Sequence, residues 1–288
     1  MLVYIDGKLV EKAEATVSVF DHGLLYGDGV FEGIRSYSRR VFRLRAHLER
    51  LYDSARTIML KVPLSAEELE AAVLETLRVN KLDDAYVRVI VTRGPGDLGL
   101  DPRKCTAPTV IIIADKIQLY PKELYEKGIT VVTAVTRAKH PEILNAKLKS
   151  LNYLNNILAK IEAVNAGAAE ALMLSEEGYV AECSGDNIFL VKKNSVVAPP
   201  AYLGALEGIT KAAVAELARG MGLDAREEPF TRHDIYNADE CFLTGTAAEV
   251  VPVTSVDGRQ IGGGRAGDVT KRLAAALRKL ALSEGTPY

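Results

Sequence analysis

The chain reads as an α+β (mixed α/β) fold of two domains, on three observations. Strand-like and helix-like segments mix along it without a regular βαβ alternation, which excludes a doubly wound parallel sheet. Its first segment carries the turn signature of an antiparallel hairpin. Its 288 residues, 48% of them apolar, amount to about two domains, each long enough to bury a core.

The hairpin is VYIDGKLV (3–10), where Asp6-Gly7 interrupts an apolar run. Two helices follow. RLRAHLERLYDSARTIML (43–60) places Leu44, Leu48, Leu51, Ala55 and Ile58 at steps of three and four, one apolar stripe. The next opens on a capping-box pair, Ser65 and Glu68, ahead of Leu69, Val73 and Leu77. YVRVIVTR (86–93) and TVIIIAD (109–115) are rich in β-branched residues and read as strands. IQLYPKELYEKG (117–128), with a proline, mixed charge and a glycine stop, reads as the linker between a small domain of residues 1–116 and a larger one of 129–288.

Beyond the linker the pattern gives the strand ITVVTAV, a helix LNYLNNILAKIEAVN ended by Gly167, and the strand ALML. A hairpin at Glu177-Gly178 precedes the strands NIFLVK and VVA. The helix ITKAAVAELARGMG, strands around CFLTG and VVPVTSV, and a helix from about Val269 to Leu282 complete the chain. There is no internal repeat.

The 36 basic and 38 acidic residues nearly cancel, so no nucleic acid, membrane or polyionic partner is expected, and a small molecule is. The N-terminus lacks the features of a secretory signal, and no stretch reaches the roughly 18 apolar residues of a membrane span. A cytoplasmic protein is expected. Cys105, Cys183 and Cys241, like His22, His47, His140 and His233, are scattered without metal-ligand spacing, so neither disulfide nor metal is expected.

Neither YGDGVFEG (26–33) nor IGGGRAG (261–267) is a dinucleotide fingerprint. The first lacks the spacing, and the second has no strand leading into a helix. In LEGITKAAVAEL, Gly208 and Thr210 stand at a helix start, whose exposed N–H groups and partial positive charge suit a phosphate; a plain cap is the competing reading. Thr244-Gly245-Thr246 adds a second hydroxyl-and-glycine turn at a strand end, by itself an ordinary turn. NAKLKSLNYLNN puts Lys147 and Lys149 just before a helix. A lysine in a dry site can serve as a nucleophile toward an aldehyde, but positions two apart on a strand point the same way. The residues alone leave that choice open.

In order, HGLLYGDGVFEGIR (22–35), LERLYDSA (48–55), AYVRVIVTRG (85–94), KSLNYLNN (149–156), GYVAECSGDNIF (178–189), LEGITK (206–211) and FLTGTAAEVVPV (242–253) resemble the branched-chain aminotransferase family. These are fold-type IV pyridoxal 5'-phosphate enzymes, a group that also holds D-amino-acid aminotransferases and aminodeoxychorismate lyase. The resemblance spans nearly the whole chain. It implies two α/β domains with the cofactor at their interface, transamination between branched-chain L-amino acids and 2-oxoglutarate in amino-acid biosynthesis, and a homodimer or higher homo-oligomer.

Position by position, the resemblance makes Lys149 the covalent attachment point and the acid–base. Glu182 is the partner of the pyridine nitrogen, and Tyr153 that of the phenolic oxygen. Arg50, Ile209, Thr210 and Thr246, with Gly208 and Gly245 in the same two turns, hold the phosphate. For the substrate it assigns Tyr86 and the Thr246-Ala247 turn to the α-carboxylate, Phe31 to an apolar wall, and Tyr26 and Arg88, with Arg35 nearby, to the distal carboxylate of glutamate. RGPGDLGL (93–100) resembles the loop that reaches a neighbouring subunit's pocket through Leu98 and Leu100. The KSLN spacer is shared with the D-amino-acid enzymes, so a D-amino-acid or amine transaminase is the alternative, with the lyase further off. GTAAEV and the Tyr86–Arg88 pair resemble the branched-chain enzymes.

Overall fold

In the computed structural model, which describes residues 1–117 and 120–288, the Asp6-Gly7 turn joins strands β1 (Leu2–Ile5) and β2 (Lys8–Glu11), both turn residues having positive φ. That geometry matches the right-handed twist of a two-residue hairpin. Helix α1 (His22–Tyr26), strands β3 (Gly29–Tyr37) and β4 (Arg40–Val41), helices α2 (Leu44–Thr57) and α3 (Ala66–Val79), and strands β5 (Ala85–Thr92) and β6 (Thr109–Asp115) follow. The capping box forms, with Glu68 N–H on Ser65 Oγ and Ser65 N–H on the Glu68 carboxylate. Leu69, Val73 and Leu77 are buried, as are Leu44, Leu48, Leu51 and Ala55 of α2.

These elements form one compact unit around a seven-stranded sheet in which β3 pairs with β4 and β5. Strand β3 is absent from the sequence reading. Its alternation is hidden by glycines at 29 and 33 and by a glutamate on its inner face, and each has a packing reason. A Cβ on Gly29 would meet Leu151 Cδ1 and Val91 O, both at 2.7 Å, and one on Gly33 would meet Tyr86 Oη at 2.0 Å. Both glycines are places where a neighbour crosses the strand closely.

Two distant pieces complete this unit: residues 148–152, which run beside the start of β3, and residues 281–288, whose strand Thr286–Pro287 pairs with β4. The division is therefore not the simple cut expected near 117–128. Of that expected linker, residues 118 and 119 lie outside the described residues, and 122–127 form a helix.

The second unit comprises residues 118–147 and 153–280. Its elements are helix α4 (Lys122–Lys127), strand β7 (Ile129–Thr133), helices α5 (Pro141–Leu144) and α6 (Leu154–Asn165), and strands β8 (Glu170–Leu174), β9 (Val180–Cys183), β10 (Asn187–Lys192) and β11 (Ser195–Ala198). Helix α7 (Ile209–Gly220), strand β12 (Asp224–Glu227), helix α8 (Arg232–Tyr236), strands β13 (Glu240–Gly245), β14 (Glu249–Val256) and β15 (Arg259–Gln260), and helix α9 (Asp268–Ser283) follow, α9 running past residue 280. Its nine-stranded sheet runs β12-β11-β10-β13-β14-β7-β8-β9, with β15 beside β14. Pairs β11–β12, β14–β7 and β7–β8 are parallel and the others antiparallel, so the sheet is mixed. Phe189 and Phe242 stack at 5.0 Å in its interior. Helix α6 packs through small residues, Ala159 and Ala163 clustering with Ala134, Ala171 and Ala181. Its large apolar residues, Leu154, Ile157, Leu158, Ile161 and Val164, are exposed.

Candidate active site

In the first unit, β3 and β5 pair with Phe31 opposite Ile90, Gly33 opposite Arg88 and Arg35 opposite Tyr86. Opposed residues of an antiparallel pair share a face, so Phe31, Arg35, Tyr86 and Arg88 lie on one side. Gly33 leaves room there for the Tyr86 phenol, whose oxygen accepts a hydrogen bond from Arg88 Nη2 at 3.1 Å. The Arg88 guanidinium lies 4.5 Å from the centre of the Phe31 ring, and that of Arg35 lies 5.1 Å from Tyr37.

Residues 148–152 run along the free edge of β3. Phe31 N–H donates to Lys149 O at 3.0 Å, and Leu151 N–H donates to Gly29 O at 2.9 Å. On its other side Lys149 N–H reaches Ser54 Oγ of α2 at 3.2 Å. The lysine is therefore held by its backbone, half-buried between buried Leu148 and Ser150, with Nζ 4.6 Å from the centre of the Phe31 ring. Lys147 belongs to the other unit, is exposed, and pairs with Glu207 at 2.6 Å. The choice that alternation left open is thus one of environment, a half-buried amine against an exposed ion pair.

Arg50 of α2 turns to the other face of β3, where it forms a two-point ion pair with Glu32. Tyr26 of α1 donates its hydroxyl to Leu98 O at 2.6 Å, and His22 Nε2 lies 2.8 Å from Asp97 O. Together they hold the 93–100 loop, whose Leu98 and Leu100 side chains are exposed.

In the second unit, Glu182 on β9 accepts from Leu206 N–H at 2.9 Å and from Asn187 Nδ2 at 3.3 Å. Asn187 Nδ2 also donates to Leu206 O at 3.0 Å, so one amide ties β9 and β10 to the segment entering α7. Gly208 is the N-cap of α7 and gives it no side-chain cap, leaving the first-turn N–H groups of Ile209, Thr210 and Lys211 without partners inside the helix. A Cβ on Gly208 would lie 2.0 Å from Asn187 Oδ1, and one on Gly245 would lie 2.0 Å from Asp186 Oδ1. Two consecutive residues, Asp186 and Asn187, thus back the two turns at Gly208 and Gly245–Thr246, and a Cβ at either glycine would force the facing side chain to shift. The sequence reading missed both roles, although both residues lie in GYVAECSGDNIF. Tyr153 is the N-cap of α6, with Lys139 Nζ 5.0 Å from the centre of its ring.

Asp186 is buried and its Oδ2 has no partner among the described residues. Burial, with the nearby Glu170 carboxylate, pushes its carboxyl up to about 7. Among the described residues no group of histidine, cysteine or acidic side chains could hold a metal, and no helix is long and apolar enough to cross a membrane.

Each unit thus offers its own polar groups: the first a backbone-held amine and an arginine, the second an uncapped helix start, a glycine turn and an oriented carboxylate. The Amino-transferase class IV family matches residues 29–256. A relative from Methanocaldococcus jannaschii is 52% identical over 280 residues, 97% of this chain and 96% of the relative. The crystal structure of Escherichia coli branched-chain amino acid aminotransferase has a TM-score of 0.95 and 38% identity, covering 99% of this chain and 96% of that one. That of the branched-chain amino acid aminotransferase from Thermobaculum terrenum, in its PLP-bound holo-form, has a TM-score of 0.90 and 28% identity, covering 98% and 94%. The chain belongs to the class IV aminotransferases and, within them, to the branched-chain amino acid aminotransferases.

Proposed function

We propose that this chain transfers the amino group of leucine, isoleucine or valine to 2-oxoglutarate, giving the branched-chain 2-oxo acid and L-glutamate, with pyridoxal 5'-phosphate as cofactor. The observation that carries this is the Phe31 ring, which has the Lys149 amine 4.6 Å and the Arg88 guanidinium 4.5 Å from its centre. A reactive amine and a carboxylate-binding cation on one apolar wall suit a site that must take an isobutyl side chain and a distal carboxylate in turn. Lys149 would hold the cofactor through its amine, and that amine moves the proton at the substrate Cα. When bound, the cofactor ring supplies the sink for the electron pair that this proton leaves behind.

Glu182, oriented by Leu206 N–H and Asn187, would hold the ring nitrogen in its protonated form, and Tyr153 would hold the phenolic oxygen. Arg50, the α7 start at Gly208, Ile209 and Thr210, and the Gly245-Thr246 turn bind the phosphate through charge and N–H donors. Tyr86 and the Thr246-Ala247 turn bind the α-carboxylate, and Arg88, with Tyr26 and Arg35, binds the distal one. The chain acts in the cytoplasm as a homodimer. The exposed apolar residues of α6, and Leu98 and Leu100 at 69 and 78% exposure, support a partner of the same kind, since apolar surface of that extent favours burial against another chain.

The test is turnover of L-leucine with 2-oxoglutarate, beside D-alanine and aminodeoxychorismate. Lys149→Ala should abolish turnover and Lys147→Ala leave it near that of the parent protein. An active Lys149→Ala protein, or D-alanine as the better donor, refutes the assignment.

A further inference from the structure

Helix α2 carries two buried stripes. Beside the apolar one run His47, Arg50 and Ser54, again at steps of three and four, and His47 and Ser54 are only 2 and 3% exposed. A buried polar stripe is costly unless each group is met. Lys149 N–H meets Ser54. A single side chain, Glu32, meets the other two, turned toward α2 by the alternation of β3 and itself wholly buried. Its Oε1 accepts from Arg50 Nε at 2.7 Å, and its Oε2 accepts from Arg50 Nη2 at 2.9 Å and lies 2.8 Å from His47 Nδ1.

Burial would raise the Glu32 carboxyl, but the charge His47 carries when protonated, the hydrogen bonds from His47 and Arg50, and the Arg50 charge outweigh it and hold it at about 2. Burial likewise pushes the His47 imidazole down, against the pull of Glu32, so at neutral pH the ring is uncharged and Nδ1–H is the donor. The trio is one anion, one cation and one neutral ring.

Coulomb's law alone argues against this arrangement, because a carboxylate on one edge of an arginine weakens its attraction for a phosphate on the other. Geometry argues for it. A guanidinium is a rigid planar fork, and gripping it by its Nε–Nη2 edge sets the plane and aim of its Nη1–Nη2 end. Side-chain freedom that phosphate binding would otherwise have to remove is already gone in the fold.

We propose that Glu32 is a positioning residue that presets the Arg50 guanidinium for the cofactor phosphate, its orienting effect outweighing the charge it subtracts. This rests on the reading of Arg50 as a phosphate ligand given above. The test uses the full-length protein freed of cofactor and compares equilibrium affinities for pyridoxal phosphate and for pyridoxal, which lacks the phosphate. Arg50→Ala should collapse the preference for the phosphorylated form. Glu32→Gln should lower that preference about tenfold, the scale of one charge-assisted hydrogen bond. Combined with Arg50→Ala it should lower the preference no further, because it acts through Arg50.

A preference unchanged or raised in Glu32→Gln, or an equal loss for both ligands, overturns the proposal. An unchanged preference in Arg50→Ala overturns the underlying reading instead. Should Glu32→Gln fail to fold, Arg50→Lys carries the test, since it keeps the charge and loses the edge that Glu32 grips. Its preference should fall nearly as far as in Arg50→Ala, and a preference at the parent level overturns the proposal.

Discussion

The two units bury charge in opposite ways. The first sets cation against anion: Arg50 on Glu32, and Arg93 on Asp28 at 2.9 and 3.0 Å, with Arg93 also donating to the carbonyls of Ile58 and Met59. The second collects carboxylates. Glu170 accepts from Ala171 N–H and from the N–H and hydroxyl of Ser184, and its cation, Lys160, is half-exposed at 3.3 Å. Asp186 has Tyr120 as a hydrogen-bond partner and no cation in an ion pair among the described residues, and its carboxyl is pushed up to about 7. In the first unit the buried carboxylate Glu32 is met by an arginine, and in the second the buried Asp186 carboxyl is raised instead. The residues proposed to act divide along the same line, with Lys149, Arg50 and Arg88 in the first unit and Glu182 in the second.

If Glu182 is the anion that the second unit keeps charged for the cofactor, Glu182→Gln should leave the fold intact and slow the half-reaction with leucine about a hundredfold, the scale seen for removal of one preorganised electrostatic partner. Stopped-flow single turnovers measure this. An unchanged rate would break the comparison, since the second unit's charge would then do nothing for the reaction.

Arg88 sharpens the comparison on the other side. Arg88→Met should weaken the half-reaction with glutamate or 2-oxoglutarate about ten- to hundredfold, by loss of a charge-assisted hydrogen bond, and spare that with leucine. Equal losses in both half-reactions would make Arg88 a structural prop for Tyr86 and Phe31.

The smallest effect is on stability, where the two strategies carry opposite signs. Glu32, depressed to about 2, contributes stability that is present above its ordinary value of 4.5 and lost as pH falls from there toward 2. Asp186, raised from 3.8 to about 7, holds a proton that the unfolded chain releases, so stability declines as pH rises across that window. Asp186→Asn removes that decline and should stabilise the protein at pH ~8, read from denaturant midpoints. A variant less stable than the parent there would show that the Asp186 carboxylate is ionised and used.

Much of this was legible in the residues, and the boundary of legibility has a physical cause. The Asp6-Gly7 hairpin, the Ser65–Glu68 capping box, the apolar stripes of α2 and α3 and the β-branched strands β5 and β6 are written in neighbours a few positions apart, where local sterics and periodicity decide the outcome. The ordered motifs named the family for the same reason: each is a short run of recognisable residues. What depended on residues far apart in the chain could be settled only by the fold. Strand β3 pairs along its length with β5, and its two glycines and its glutamate stand where Leu151, Tyr86 and Arg50 come to it. Residues 148–152 join the first unit through hydrogen bonds with Gly29 and Phe31, more than a hundred positions away. Glu32 and His47 had no local signature, since a lone glutamate among apolar residues and a lone histidine on a helix acquire meaning only when packing buries them against each other. Asp186 and Asn187 were visible as motif letters, but that they stand behind Gly245 and Gly208 is a fact of distance in space, which no spacing along the chain encodes.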